Sequence, residues 1–316
     1  MERYPQSLNE RICLIDILDM GLTERTGTYV IKEDELTIVE TGPSSSVKHV
    51  KEGIQNLGYS LEDVKYIIVT HIHLDHAGGT GLLLQSCPNA KVVVHPKGAR
   101  HLVNPERLIA SARAVYGTKF DEFFNPIVPI PEDRLLIKAD GETLQIGSNC
   151  TLTFLDTPGH ANHHFSIYDP ISNGMFVGDT VGVRYEQLAK DGVDLVLPST
   201  SPNQFDPEAM QNAIERFQSM NLSSIYYGHF GMTTDAAAGL VQVSEWLPLF
   251  VETAKDVQRE NKDHEELAKR LQALVKDHLR GQEIPDNHEV YKIIQIDTEV
   301  CSMGLMDFLG KHNLTS

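Results

Sequence analysis

Thr70-His71-Ile72-His73-Leu74-Asp75-His76-Ala77-Gly78-Gly79 places three imidazoles and one carboxylate within six residues. The stretch follows directly on Tyr66-Ile67-Ile68-Val69, a short β-branched run that reads as a buried strand. The histidines therefore fall in the loop where a strand ends, and Gly78 and Gly79 permit a tight turn into a following helix. Imidazole nitrogen and carboxylate oxygen are ligands for zinc or iron. A lone buried histidine is more often structural than catalytic, but four ligand-type side chains at this density do not fit a structural role. In an extended segment, side chains two apart point the same way, so His71 and His73 are placed to grip one metal. Asp75 and His76 follow as the chain turns, displaced toward a second position.

Three later sites each put a ligand-type residue at the end of a strand. Thr157-Pro158-Gly159-His160 follows Phe154-Leu155-Asp156, Gly178-Asp179-Thr180 follows Met175-Phe176-Val177, and Gly228-His229-Phe230-Gly231 follows Ile225-Tyr226-Tyr227. Neighbouring strand ends converge on one sheet edge, where α/β proteins build their sites. Glycine beside each ligand lets the backbone approach closely. Any one of these is a weak signal; in this order, after His-x-His-x-Asp-His, they form a set.

That set resembles the metallo-β-lactamase superfamily of metallohydrolases, over roughly residues 20 to 235. The resemblance implies an αββα sandwich with two metals at one edge of two facing sheets. It also implies that His71, His73 and His160 hold one metal, that Asp75, His76 and His229 hold the other, and that Asp179 bridges them. Glu40 departs from the pattern, since relatives usually carry Asp before this Thr-Gly; the position supports the site from behind the ligands. His163 and His164 should point away or sit behind the ligands. His95, His101, His264, His278, His288 and His312 are expected to have surface or capping roles.

Periodicity by itself gives an α/β core. Strands are expected at Thr28–Ile31, Leu36–Glu40, Lys91–His95, Leu152–Asp156, Phe165–Tyr168, Met175–Asp179 and Ser224–Tyr227. Val47, Val50, Ile54 and Leu57 recur at helical spacing, and Asp206-Pro207 starts a helix as N-cap and first residue, with Met210, Ala213, Ile214 and Phe217 on one face. We expect a metal-binding catalytic domain over residues 1–240 and a helical C-terminal extension over 241–316. Residues 97–133 interrupt the strand–helix alternation, either as a variable insertion near the site mouth or as a surface excursion.

The chain has 316 residues, 41% hydrophobic and 22% charged, with 27 basic and 44 acidic side chains giving a net charge of −17. That balance argues against DNA or RNA as partners, because their binding depends on neutralising phosphate. Met1-Glu2-Arg3-Tyr4-Pro5 does not read as a secretory leader, and no apolar run is long enough for a membrane span. Cys13, Cys87, Cys150 and Cys301 are scattered, so the expected setting is reducing cytoplasm.

Two divalent metal ions are expected as cofactors, zinc first, with iron or manganese as alternatives. They would lower the pKa of a bridging water toward neutrality, giving hydroxide that attacks an ester-like bond: thioester, lactone or related. Asp75 or Asp179 would steer it and shuttle its proton. Arg184 and Tyr185, five and six residues after Asp179, are the candidate substrate residues; a guanidinium there would favour an anionic small molecule. The lactonase branch carries a tyrosine three residues after the bridging aspartate, where this chain has Gly182. Two other readings stay open: an oxidoreductase resembling persulfide dioxygenases, with one iron on His71, His160 and Asp179, and a non-catalytic metal-binding protein on the same fold. A homodimer is a further expectation.

Overall fold

β-Branched runs in this chain carry little alternation because most strands are buried on both faces. Val92 and Val94 pack toward helices while Val93, between them, faces a second sheet; Val30 is likewise flanked by Tyr29 and Ile31 on the opposite face. The computed structural model describes residues 5–313. Met1-Glu2-Arg3-Tyr4, read above for a leader, and the last three residues of the helical extension lie outside the described residues. The chain divides into two compact units that interleave along the sequence. Residues up to 156, with 163–178 and 223–234, form the first; residues 157–162 and 179–222, with the chain from 235 onward, form the second.

The first unit holds two sheets. One runs β1 (Gln6–Ser7), β2 (Ile12–Asp16), β3 (Gly27–Ile31), β4 (Leu36–Val39), β5 (Val64–Ile68), β6 (Lys91–Val94), β7 (Leu135–Ile137) in spatial as in sequence order. It is antiparallel from β1 to β4 and parallel from β4 to β7. The other contains β8 (Thr143–Gln145), β9 (Thr151–Asp156), β10 (Phe165–Asp169), β11 (Gly174–Gly178), β14 (Ser224–Tyr227) and β15 (Met232–Thr233), in the order β15-β14-β11-β10-β9-β8. Only β11 and β14 pair parallel. Between the sheets lie Leu14, Tyr29, Val39, Ile68 and Val93 from the first and Leu152, Phe154, Phe165, Ile167, Phe176 and Tyr226 from the second. Fully burying such a side chain contributes about 1.5–3 kcal/mol.

The outer face of the first sheet is covered by α1 (Val47–Asn56), α2 (Leu74–Ala77), α3 (Thr80–Leu84) and α4 (Pro96–Val103), through Val47, Val50, Ile54, Ala77, Leu83, Leu84, Ala99 and Leu102. The segment after α4 folds as α5 (Glu106–Tyr116) and α6 (Phe120–Phe124). Phe120 and Phe124 are buried with Leu74, and Leu108, Ile109 and Tyr116 pack around them. Leu74 lies between His73 and Asp75, so this segment is anchored on the metal-ligand motif itself.

The second unit pairs β12 (Val183–Arg184) with β13 (Val196–Leu197) and carries α7 (Pro207–Ser219), α8 (Ala236–Arg259), α9 (His264–Gly281) and α10 (Val290–Asn313). Asp206 caps α7 by accepting from the Glu208 and Ala209 amides, with Pro207 as the first residue, and Met210, Ala213, Ile214 and Phe217 are buried as their spacing requires. Such a cap contributes about 1 kcal/mol. The helical C-terminal segment begins at Ala236 and belongs to the same unit as residues 157–162 and 179–222. Among the described residues no helix is long and apolar enough to cross a membrane.

Candidate metal centre

In the first unit, β5 ends at Ile68 and the chain turns into α2 at Leu74, with His73 as the extended N-cap residue (φ −60°, ψ 148°). The His71 and His73 rings meet edge to face with centroids 4.6 Å apart. One turn on, Asp75 and His76 are joined by His229 from the loop after β14. A ligand atom from each of these three lies within 4.8 Å of the others. Nε2 of His229 and of His76 stand 3.6 and 3.8 Å from the same Asp75 oxygen.

His71 and His76 each face a partner through Nδ1, which leaves Nε2 for a metal. Thr70 Oγ1 is 3.0 Å from His71 Nδ1. Glu40 accepts from the Thr70 amide through one oxygen at 3.0 Å and places the other 3.4 Å from His76 Nδ1. The supporting role expected for this position is therefore filled by Glu40, buried and in the left-handed region (φ 66°). Strain of that kind in a bulky residue is tolerated where the surroundings over-determine it. The next residues complete the clamp: the Thr41 and Gly42 amides and the Thr41 hydroxyl all donate to the His76 carbonyl at 3.0 Å.

In the second unit, His160 and Asp179 form their own pair, Nε2 to Oδ2 3.6 Å. His160 Nδ1 is 2.9 Å from the Ser199 carbonyl, which can only accept, so Nδ1 carries the proton and Nε2 the lone pair. Ser199 Oγ donates to Asp179 Oδ2 at 3.1 Å, and Ser201 Oγ lies 3.3 Å from His160 Nε2. Sequence reasoning does not single out Ser199 and Ser201. Their signal is positional: Ser199-Thr200-Ser201 follows Leu195-Val196-Leu197 and so begins where another strand ends.

His163 and His164 are buried against the ligands rather than turned away. The His71 ring lies 6.3 Å from His163 and 5.1 Å from His164, and His163 lies 5.3 Å from His73. His95 caps α4, accepting from the Lys97 amide, and pairs with Asp156 at 2.9 Å. His288 pairs with Asp191 and His278 packs edge-on against Trp246.

Arg184 and Tyr185, the candidate substrate residues, both have partners within the chain. Arg184 is buried, and its guanidinium binds Glu186 and, at 2.7 Å, Asp194. Burial works against its charge, yet those two carboxylates raise its pKa above the ordinary arginine value. Tyr185 is buried as well and donates to Asp297 at 3.0 Å. Acidic side chains of the second unit thus orient both residues.

Residues 25–229 match the metallo-β-lactamase superfamily, a span that contains all seven candidate ligand positions. The chain belongs to that superfamily. It is 26% identical over 210 residues to the metallo-β-lactamase fold-containing protein ST1585 of Sulfurisphaera tokodaii, covering 65% of this chain and 73% of that one. A hydroxyacylglutathione hydrolase of Legionella pneumophila is 29% identical over 118 residues, 37% of this chain and 34% of the relative. Among solved structures, the metallo-β-lactamase family protein TTHA1429 from Thermus thermophilus superposes with a TM-score of 0.67 at 19% identity, over 97% of this chain and 95% of that one. The ST1585 structure gives 0.66 at 20% identity, over 94% and 98%. The fold is thus the metallo-β-lactamase fold, as the resemblance implied.

The residues present fit the divalent metals typical of the superfamily. The donors are imidazole and carboxylate, and Nδ1 of four histidines faces a hydroxyl, carboxylate or carbonyl oxygen that orients the ring. Close packing behind the ligands supplies a direct test. A Cβ on Gly228 would lie 2.8 Å from His76 Cε1 and 3.2 Å from the Gly178 Cα. Gly228→Val should therefore push the His76 ring aside and lower metal uptake, with the circular dichroism spectrum retained. Unchanged metal content in the folded variant would show that the ring position is immaterial.

Proposed function

We propose that this protein is a binuclear-metal hydrolase of ester-like bonds, thioesters and lactones first, acting on small molecules. The reading is carried by the ligand chemistry: five donors on the first unit and two on the second, with oriented rings and none of the seven motif positions substituted. His71, His73 and His160 would hold one metal, Asp75, His76 and His229 the other, with Asp179 shared. Asp179 directly follows Gly178, the last residue of β11, and His160 lies in the segment between β9 and β10, which pair at Asp156 and Phe165. The Legionella relative supports hydrolysis as the reaction class.

When bound, the two ions would supply Lewis-acid activation of water and of the substrate carbonyl. The chain's own contribution is proton handling and orientation. The Asp75 side chain is 17% exposed while His76 beside it is buried, so Asp75 is the carboxylate placed to take a proton from the attacking water and release it to solvent. Asp179 is buried and fixed by Ser199 Oγ, which suits a static shared ligand more than a shuttle. With Arg184 engaged by Glu186 and Asp194, a preference for anionic substrates has no support from that residue.

Protein purified without added metal should contain about two first-row ions per chain, mainly zinc. A panel of thioester, lactone, β-lactam and nucleic-acid substrates should show hydrolysis of the first two and little of the others. One iron per chain, no hydrolysis anywhere and oxygen uptake with a persulfide would replace this reading with the oxidoreductase one.

A further inference from the structure

The loop joining β2 to β3 adopts a backbone that its residues do not favour. Leu18, Met20 and Glu24 all have φ between 51° and 56°, in the left-handed region, and none is glycine. Asp16 braces the loop from its base: its two carboxylate oxygens accept from the Leu18 and Glu24 amides, each at 3.1 Å. The path so imposed buries the Asp19 carboxyl completely. Thr26 Oγ1 donates to Asp19 Oδ2 at 3.0 Å, and Arg25 Nε stands 3.3 Å from that same oxygen. Thr26 Oγ1 also lies 3.4 Å from Nδ1 of His229. Burial raises the Asp19 pKa and Arg25 opposes it, but Oδ2 remains an acceptor whether or not the other oxygen carries a proton.

The direction of these bonds follows from counting protons. A threonine hydroxyl has one hydrogen to give. Asp19 Oδ2 takes it, so toward His229 the hydroxyl presents a lone pair and must receive the proton on Nδ1. Were the hydroxyl reversed, Nδ1 would accept, the proton would move to Nε2, and that nitrogen would be blocked as a ligand. Nε2 is the atom that faces Asp75 at 3.6 Å. We propose that Asp19 and Thr26 are positioning residues that fix His229 as its Nδ1–H tautomer and aim Nε2 at the metal position shared with Asp75 and His76, with Arg25 anchoring Asp19. This rests on the metal-binding reading of the site, and it gives the strained loop a function.

Thr26→Val keeps the shape and removes the hydroxyl, Thr26→Ser keeps the hydroxyl, and Asp19→Asn lets an amide donate where a carboxylate accepts. Two measurements decide: nitrogen-15 chemical shifts of His229 in metal-free protein, assigned by their loss in His229→Gln, and zinc titration of each variant. The expected result is an Nδ1–H signature in the wild type and Thr26→Ser, with mixed tautomers in Thr26→Val and Asp19→Asn. The more weakly held zinc should lose roughly 10–100-fold in affinity in the latter two variants, with the other zinc little changed. An Nε2–H signature in the wild type would overturn the proposal. So would wild-type tautomer and zinc affinity in a folded Thr26→Val or Asp19→Asn protein. A wild type that takes up no zinc would overturn the metal reading instead, while the spectra of metal-free protein still decide the tautomer claim.

Discussion

Asp179→Ala should lower the metal content from about two ions per chain toward one or none and cut hydrolysis by about 10³-fold or more. Such a loss corresponds to about 4 kcal/mol, within the several kcal/mol of transition-state stabilisation that a bound metal supplies. Asp179 is buried, receives the Ser199 hydroxyl at 3.1 Å and stands 3.6 Å from His160 Nε2, so its removal takes away the one anion of the second unit's ligand pair. As the shared ligand it would also screen the repulsion between two cations. Asp179→Asn separates charge from shape: it keeps an oxygen for Ser199, and metal loss there as well assigns the effect to charge. Retention of both metals with near-normal turnover in either variant would show that Asp179 is not a ligand. His163 is unsuitable as a control, since its ring lies 5.3 Å from His73. His95, which caps α4 and pairs with Asp156, is the better one.

The candidate ligands are legible in the sequence because their chemistry is concentrated: three histidines and an aspartate in six residues suit metal binding better than any packing role, and strand-end glycines flag the later ones. What holds the ligands is less visible. The partner of His160 is the backbone carbonyl of Ser199, a group every residue possesses. The partner of His229 depends on left-handed backbone at Leu18, Met20 and Glu24, for which these side chains carry no propensity. Glu40 stands out only against the aspartate that the resemblance leads one to expect at that position. Among strands, Ile12-Cys13-Leu14-Ile15 escapes because cysteine and leucine interrupt its β-branched run, and β12, β13 and β15 are too short for any period to show. Arg184 shows the opposite case. Its charge is legible, but the deciding fact is that Glu186 and Asp194 lie close enough to occupy it.

A chain ending at Gly239 should be insoluble or aggregated, and one ending at Gly281 should stay more nearly folded yet bind less metal. The first truncation removes nearly all of α8 together with α9 and α10, and with them Leu240, Val243, Leu247, Phe250, Leu267, Leu271, Val275 and Leu279, all buried. At about 1.5–3 kcal/mol each, these eight contribute about 12–24 kcal/mol, as much as or more than the 5–15 kcal/mol that typically separates folded from unfolded protein. Burial facing α7 would also be lost, leaving Met210, Ile214 and Phe217 with fewer apolar neighbours. The second truncation is more informative because α10 reaches the ligands through one loop. Thr200 Oγ1 donates to the Cys301 carbonyl at 2.9 Å, and the Cys301 thiol lies 3.5 Å from the Pro198 carbonyl. Gly304 packs so closely that a Cβ there would stand 2.0 Å from the Thr200 oxygen. Ser199, between those anchors, is what holds both His160 and Asp179. Without α10 this loop loses its backing, so metal content should fall in soluble protein, and Gly304→Val in the full chain should reproduce the loss with the helices intact. Light scattering, circular dichroism and metal analysis on the three proteins test the chain of contacts. A soluble, monomeric, fully metal-loaded protein ending at Gly239 would show the helical segment to be dispensable, and full metal content in Gly304→Val would show that α10 does not act through Ser199.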